Sequence, residues 1–216
     1  MKKVLTILFC LISFTFPSLA ADTADAQKFA KKLADDIITE VVNAKLPLSE
    51  KQETFRKIFM AAINVKKSAK FTLGRYAKTA TPEQISEYTD ALADNIIYTW
   101  TDRFSGYANG LTTDDFVFET SRKSENGDFY LTSKINLPDT ENDIEVIWRI
   151  SETKDKLKLA DMIVEGVSML MSYRNEYTAI LQQNGGDLPA LTEMLKKKNE
   201  AMKNPSKGKS AEKGRS

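Results

Sequence analysis

The stretch DMIVEGVSMLMSYRNEY, residues 161–177, changes its hydrophobic pattern halfway along. Met162 and Val164 alternate with other residues as in a strand, whereas the residues after Gly166 have helical spacing. Glycine tolerates a turn that a side chain opposes, and Ser168 is a typical helix N-cap. The stretch therefore predicts a strand-to-helix corner. A strand end needs fewer apolar side chains than the stretch supplies, which are Met162, Val164, Val167, Met169 and Leu170.

Four runs upstream of this corner have the two-residue period of half-buried strands. The fourth run extends from Leu157 to Val164. The connections are short and polar, and Asn126-Gly127 is typical of a tight hairpin. Short connections favour antiparallel neighbours, so the sequence predicts a four-stranded antiparallel meander. One face of the first three strands presents Phe116, Phe118, Phe129, Leu131, Ile144, Val146 and Trp148.

The part of the chain before the sheet has helical spacing. A stripe between residues 24 and 42 predicts a first helix, and Ser49–Gln52 has the pattern of a capping box for a second. The stretch from Thr81 to Gln84 combines a threonine N-cap, a first-turn proline and a glutamine at the third position, which predicts a long helix. Along that helix lie Tyr88, Leu92, Ile96 and Trp100.

Two more helices follow the corner. The first is expected to end at Gly185–Gly186, and Asp187 is expected to begin the second. Helices, then a sheet, then helices again predict one α+β domain over residues 21–203 with one sheet face covered.

The two ends of the chain differ from the predicted domain. Residues 1–20 have two lysines, an apolar run and a small-residue ending at Ala20, the layout of a cleavable secretory signal peptide. A retained membrane anchor is the weaker alternative, because the run is shorter than the roughly 20 residues of a spanning helix. Residues 204–216 predict a disordered basic tail, with attraction to anionic lipid head groups as the alternative role.

The composition excludes several classes of protein. The chain has no histidine, and its one cysteine, Cys10, lies in the predicted signal peptide. Histidine-dependent hydrolases, histidine–zinc sites and thiol chemistry each lack an obligatory residue. The domain is acidic and has no basic face with interleaved aromatic residues, which argues against nucleic-acid binding. We predict no enzyme activity, no catalytic residues, no metal and no cofactor.

The apolar faces of the sheet and of the helices have two possible arrangements. They close on each other as a filled core, or they line a pocket between them. Both arrangements give the same hydrophobic period, so periodicity leaves both open.

Several segments resemble the MlaC family, also called toluene-tolerance auxiliary proteins. They are DMIVEGVSM at 161–169, YRNEY at 173–177, LGRY at 73–76 and ATPEQ at 80–84, and the similarity extends from about Asp22 to Lys198. The resemblance implies an NTF2-like cone in which a curved sheet and helices enclose an apolar cavity. It also implies a periplasmic phospholipid carrier between an outer-membrane lipoprotein complex and an inner-membrane ABC transporter with a lipid-binding ring, maintaining outer-membrane lipid asymmetry.

On this resemblance the apolar corner, helix and sheet residues become candidate lipid ligands. Glu165 and Arg174 are expected to form a structural pair or to face a partner, with contact to the lipid head group as the weaker alternative. The alternatives are a hopanoid-associated lipid carrier, a small-ligand module or isomerase-type enzyme on the same fold, and an adaptor with a filled core. The expected lipid-binding residues are Tyr88, Leu92, Ile96, Trp100, Phe116, Phe118, Phe129, Leu131, Ile144, Val146, Trp148, Met162, Val164, Val167, Met169 and Tyr173.

Overall fold

The computed structural model describes residues 21–105, 111–136, 143–154 and 156–203. The predicted signal peptide and the predicted basic tail both lie outside the described residues. Within the described ranges, no helix is both long enough and apolar enough to cross a membrane.

Three helices and a π-helical turn form the first part of the fold. α1 begins after Asp22, whose side chain accepts a hydrogen bond of 2.8 Å from the Asp25 N–H. The predicted Ser49–Gln52 capping box is wrong, because the second helix begins directly after Pro47 and has no side-chain cap. The elements are α1 at Thr23–Ile37, the π-helical turn at Ile38–Val42, α2 at Leu48–Ala62 and α3 at Val65–Leu73.

The sequence patterns did not predict α3 as a separate helix. Only Ile63 and Asn64 separate it from α2, and neither residue is the proline or glycine that usually marks a break. The Asn64 side chain caps α3 by accepting a hydrogen bond of 3.1 Å from the Lys67 N–H.

The later helices begin where the capping residues predict. The Thr81 hydroxyl accepts from the Gln84 N–H at 3.2 Å, and the Gln84 side chain accepts from the Thr81 N–H at 3.0 Å, a complete capping box. Asp187 caps the last helix by accepting from the Ala190 N–H at 3.0 Å. These helices are α4 at Pro82–Ser105, α5 at Met169–Gln183 and α6 at Leu188–Lys203.

The sheet is an antiparallel meander in which neighbours along the chain are neighbours in space. The α+β class is confirmed, but the described part of the sheet has a fifth strand. It forms because Glu165 and Gly166 have positive φ angles of 49° and 75° and return the chain alongside the fourth strand. The strands are β1 at Phe116–Lys123, β2 at Phe129–Ile135, β3 at Ile144–Thr153, β4 at Lys156–Val164 and β5 at Val167–Ser168.

Of the two expectations for Glu165 and Arg174, the structural pair is wrong, because each residue has another partner. The Glu165 carboxylate accepts a hydrogen bond from the Glu145 N–H. The Arg174 guanidinium instead lies 4.7 Å from the Phe71 ring centroid and donates to the Phe71 carbonyl at 3.2 Å. Each residue therefore stabilises a different junction, one between strands and one between α3 and α5.

The long helix α4 lies between two apolar regions. On one side, Tyr88 and Ala91 belong to a closely packed core with residues of α3, α5 and α6, and Leu92 lies at the border of the two regions. Asn95 donates to Asn199 at 3.0 Å, and Asn199 donates to the Ala91 carbonyl at 2.8 Å, which ties α6 to α4. On the other side, the later turns of α4 face the sheet across a void.

Candidate binding cavity

A cavity of about 380 Å³ separates the inner face of the sheet from the helices. This volume falls in the roughly 300–1,000 Å³ range of small-molecule sites. Protein interiors are otherwise packed about as densely as organic crystals, so a void of this size is far larger than an ordinary packing defect. The sequence left open a lined pocket or a filled core. The side of α4 that faces the sheet has the pocket, and the opposite side has the filled core.

The wall follows from the periods of the elements that form it. Alternate residues of β3 face inward, and four-residue steps along α4 bring Leu92, Ile96 and Trp100 to the opposite wall. The strand-to-helix corner closes one side, and the Ser168 hydroxyl caps α5 by accepting from the Met171 N–H at 3.0 Å. The predicted residues that line the cavity are Leu92, Ile96, Trp100, Phe116, Ile144, Val146, Trp148, Met162, Val164, Met169 and Tyr173.

Three predicted sheet residues lie outside the cavity wall because α1 covers their part of the sheet. Phe129 and Leu131 are fully buried in a cluster with the small residues Ala26 and Ala30, which let the helix approach closely. The ring of Phe118 packs against Trp148 and lies under the Lys31 ammonium, 5.7 Å away. Packing by α1 thus replaces the expected contact with a ligand.

Tyr88 and Val167 also lie outside the wall. Tyr88 is fully buried in the filled core, with its hydroxyl 2.8 Å from that of Thr72 and its ring edge-on to Tyr177. Val167 lies on the two-residue edge strand β5 and keeps 53% of its surface exposed. The corner therefore supplies Met162, Val164 and Met169 to the cavity but turns Val167 outward.

Much of the helical wall was not assigned to the site from the sequence. The apolar stripes of α1 and α2 were visible as helical spacing, but such a stripe indicates burial and not what it is buried against. α3 had no predictive signal of its own, and residues 38–42, which form the π-helical turn, were expected to be the end of the first helix. The additional apolar lining residues are Leu33, Ala34, Ile37, Ile38, Val42, Phe55, Phe59, Ala62, Ile63, Val65, Phe104, Leu111, Ile135, Leu159, Ala160 and Leu170.

The few polar groups in the wall mostly have partners within the protein. The Asp161 carboxylate accepts from the Ser168 hydroxyl at 2.5 Å and from the Leu170 N–H at 3.0 Å, so it fastens the start of α5 to β4. Burial raises the pKa of Tyr173, while a hydrogen bond with Trp100 and the charge of Arg103 oppose that rise. Among its described residues, this wall offers apolar contact and no nucleophile–base pair.

Of the described residues that line the large cavity, Arg103 is the one with a basic side chain. Its guanidinium lies over the Trp100 ring at 5.2 Å from the centroid, and the side chain is exposed. In the described ranges, no group of three or more acidic side chains is arranged to hold a metal ion.

A second, smaller cavity of about 140 Å³ adjoins the first. The two cavities share wall residues Ser68, Leu159, Ala160 and Leu170, but the smaller one has a much more polar lining. The residues found only in its wall are Asn64, Lys67, Phe71, Asp128, Arg149, Ser151, Thr153 and Lys158.

Known proteins resemble this chain in fold and in sequence. A similar solved structure is the phospholipid-binding protein from Ralstonia solanacearum in complex with a phospholipid, with 18% sequence identity and a TM-score of 0.71. The alignment covers 84% of this chain and 99% of that chain, and at this identity the likeness shows the fold alone. The sequence model of the family described as MlaC protein matches residues 31–197, most of the chain. The chain belongs to the MlaC family.

Proposed function

We propose that this protein binds a phospholipid by enclosing its acyl chains in the large apolar cavity. The observation that carries the proposal is the wall itself, in which aliphatic and aromatic side chains from the sheet and the helices surround a ligand-sized void. Membership of the MlaC family and the phospholipid in the Ralstonia solanacearum neighbour support the same ligand. The cavity-lining residues from β3, β4, α4 and the corner are the proposed acyl-chain contacts.

The wall chemistry suits a carrier better than a permanent receptor. Two acyl chains have on the order of 30 methylenes, and at about 0.8 kcal/mol each their transfer out of water is worth roughly 24 kcal/mol. This exceeds the ceiling of about 21 kcal/mol for known affinities, so exchange with a membrane is the relevant reference. An apolar cavity resembles the bilayer interior, and exchange between them has a free-energy change near zero. Lipid can then be both taken up and released.

The proposed carrier works in the periplasm. The predicted signal peptide supports export, and family membership supports exchange between an outer-membrane lipoprotein complex and an inner-membrane ABC transporter with a lipid-binding ring. This transfer maintains the lipid asymmetry of the outer membrane. We propose no enzymatic step and no cofactor, because the part of the cavity wall that the structure describes offers mainly apolar contact.

Flexible side chains help the site accept chains of different length. Met162 and Met169 lie in the cavity wall, and methionine adapts to irregular surfaces through its unbranched, polarizable thioether. We expect the protein to tolerate variation in chain length more readily than the loss of one whole chain.

Native mass spectrometry of the protein purified from cells tests this function. We expect a bound species that dissociates, after extraction with organic solvent, into a phospholipid of defined mass. A hopanoid mass would identify the alternative lipid class. Protein that is free of lipid and also fails to take up phospholipid from liposomes would contradict the proposal. Transfer between donor and acceptor liposomes tests the carrier step separately.

A further inference from the structure

We propose that the smaller cavity is a subsite for the phosphate group of the lipid whose chains occupy the large cavity. This inference rests on the proposed function and adds a location and a charge preference for the head group. Its basis is the position, the charge and the size of the smaller cavity.

The two cavities adjoin each other and share part of their walls. Leu159 and Ala160 of β4, Ser68 of α3 and Leu170 of α5 belong to both walls. Ala160 is the extra residue of a bulge, because the β3–β4 register shifts between Arg149 and Ile150. A bulge re-aims the side chains of its strand and bends it. In the proposed complex, a lipid with its chains in the large cavity extends its polar end past this bulge.

The smaller cavity carries an excess of positive charge. Among the described residues, its wall contains the bases Lys67, Arg149 and Lys158 and one carboxylate, that of Asp128. That carboxylate is already engaged, since the Arg149 guanidinium lies 3.6 Å away and the Ser151 hydroxyl donates to it at 2.6 Å. Among the described residues, neither lysine forms an ion pair with an acidic side chain. An anionic group in the smaller cavity would pair with these ammonium groups.

Local backbone geometry adds to this positive potential. α3 starts at the smaller cavity, with Asn64 as its N-cap and Lys67 in its first turn. The Lys67 N–H is already bonded to the Asn64 side chain, but the N-terminus of a helix carries partial positive charge. The Lys158 side chain, on β4, donates to the Ala61 carbonyl, which holds its ammonium group in place. Phosphate oxygens accept hydrogen bonds from ammonium groups, and a cavity of about 140 Å³ suits a compact group of this kind.

The test compares Lys67→Glu with Lys66→Glu in the full chain. Both lysines are exposed in the first turn of α3, so the two variants change net charge and helix dipole equally, but only Lys67 lines the smaller cavity. The probes are dioleoyl phosphatidylglycerol, dioleoylglycerol, which has the same chains without phosphate, and glycerol 3-phosphate. Lys67→Gln is a milder second variant, and circular dichroism verifies that each variant is folded.

We expect Lys67→Glu to weaken binding of dioleoyl phosphatidylglycerol by about tenfold, the usual effect of losing one charge-assisted hydrogen bond. Lys67→Gln should act in the same direction. Binding of dioleoylglycerol should change by less than about twofold in either variant, as should binding of both lipids to Lys66→Glu.

Three results would overturn the subsite. One is equal weakening by Lys66→Glu and Lys67→Glu, which indicates only a long-range field. Another is weaker binding of dioleoyl phosphatidylglycerol to Arg103→Ala with unchanged binding to Lys67→Glu, which places the phosphate at the wall of the large cavity. The third is binding of glycerol 3-phosphate to protein already filled with dioleoylglycerol, which indicates a site for free phosphate. Failure of the wild type to bind either lipid would instead reject the proposed function itself.

Discussion

The indole nitrogen of Trp148 donates a hydrogen bond to the hydroxyl of Ser133, 2.9 Å away on the neighbouring strand β2. Both residues are buried, and the Ser133 hydroxyl in turn donates to the Val146 carbonyl at 3.3 Å. The N–H of the Trp148 ring is thus satisfied within the sheet. The ring can line the cavity without presenting an unpaired donor to acyl chains.

Replacing Ser133 with alanine should destabilise the protein by about 1–3 kcal/mol, because the Trp148 N–H loses its acceptor in a buried position. Urea denaturation measures the change in free energy of unfolding. Ser121→Ala on the exposed part of β1 is the matched control, with an expected change within about 0.5 kcal/mol. An equal loss in both variants would show that the Trp148 hydrogen bond contributes nothing specific.

Replacing Val164 with glutamate should lower the lipid content of the purified protein by about tenfold. Val164 lines the cavity and is half-buried, so the new carboxylate would lie against acyl chains while retaining access to water. Val146→Glu, at a fully enclosed wall position, should lower the lipid content as well, at a greater cost in stability.

The matched control for both valine variants is Val117→Glu. Val117 lies on β1 and keeps 46% of its surface exposed, so the same substitution adds the same charge outside the cavity. Phosphorus analysis of extracted lipid gives the readout. If folded Val164→Glu and Val117→Glu proteins retain equal amounts of phospholipid, the proposed cavity does not hold the chains.

The filled core should make the protein sensitive to alkaline pH. Burial raises the pKa of Tyr88 and the pKa of Tyr177 above the ordinary tyrosine range, and hydrogen bonding with Thr72 only partly opposes this for Tyr88. Because the folded protein favours the neutral form of these tyrosines, their burial contributes fully to the free energy of unfolding below the tyrosine pKa of the unfolded chain, about 10. This contribution is lost progressively as the pH rises above that value, because the tyrosines of the unfolded chain ionise first.

Tyr88→Phe should therefore flatten the loss of stability above about pH 10, by up to about 1.4 kcal/mol per pH unit for one tyrosine. The Thr72 hydroxyl keeps its hydrogen bond to the Ala69 carbonyl in this variant, so a folded protein is expected. Urea denaturation at pH 9, 10 and 11 provides the comparison. Parallel pH profiles for the variant and the wild type would rule out titration of Tyr88 as the cause.

Replacing Ser168 with alanine should cost about 1 kcal/mol, since α5 loses its N-cap and Asp161 loses one of its two partners. Hydrogen exchange should increase most at the first turn of α5, next to the cavity residues Met169 and Tyr173. Ser172→Ala removes a hydroxyl from the same helix without removing the cap and serves as the control. Exchange rates that rise evenly along α5 in both variants would contradict a specific role for the corner.

Local patterns in the sequence predicted most of the elements because their causes are local. The Thr81–Gln84 capping box, the alternation along β2 to β4 and the glycine turn at the corner depend on neighbours a few residues away. Where local signals were weak or misleading, the prediction failed. α3 follows α2 without a proline or glycine, and the capping pattern at Ser49 lies within a helix that Pro47 begins.

The sequence by itself determined an α+β chain with an antiparallel meander and a strand-to-helix corner, and its lack of histidine and of thiols outside residues 1–20 excluded several chemistries. Only the tertiary structure decided which apolar residues face the void. Phe129 and Val146 have the same strand period, yet α1 packs on the first and leaves the second open to the cavity. That difference depends on the distance between elements far apart in the chain, which hydrophobic periodicity does not encode.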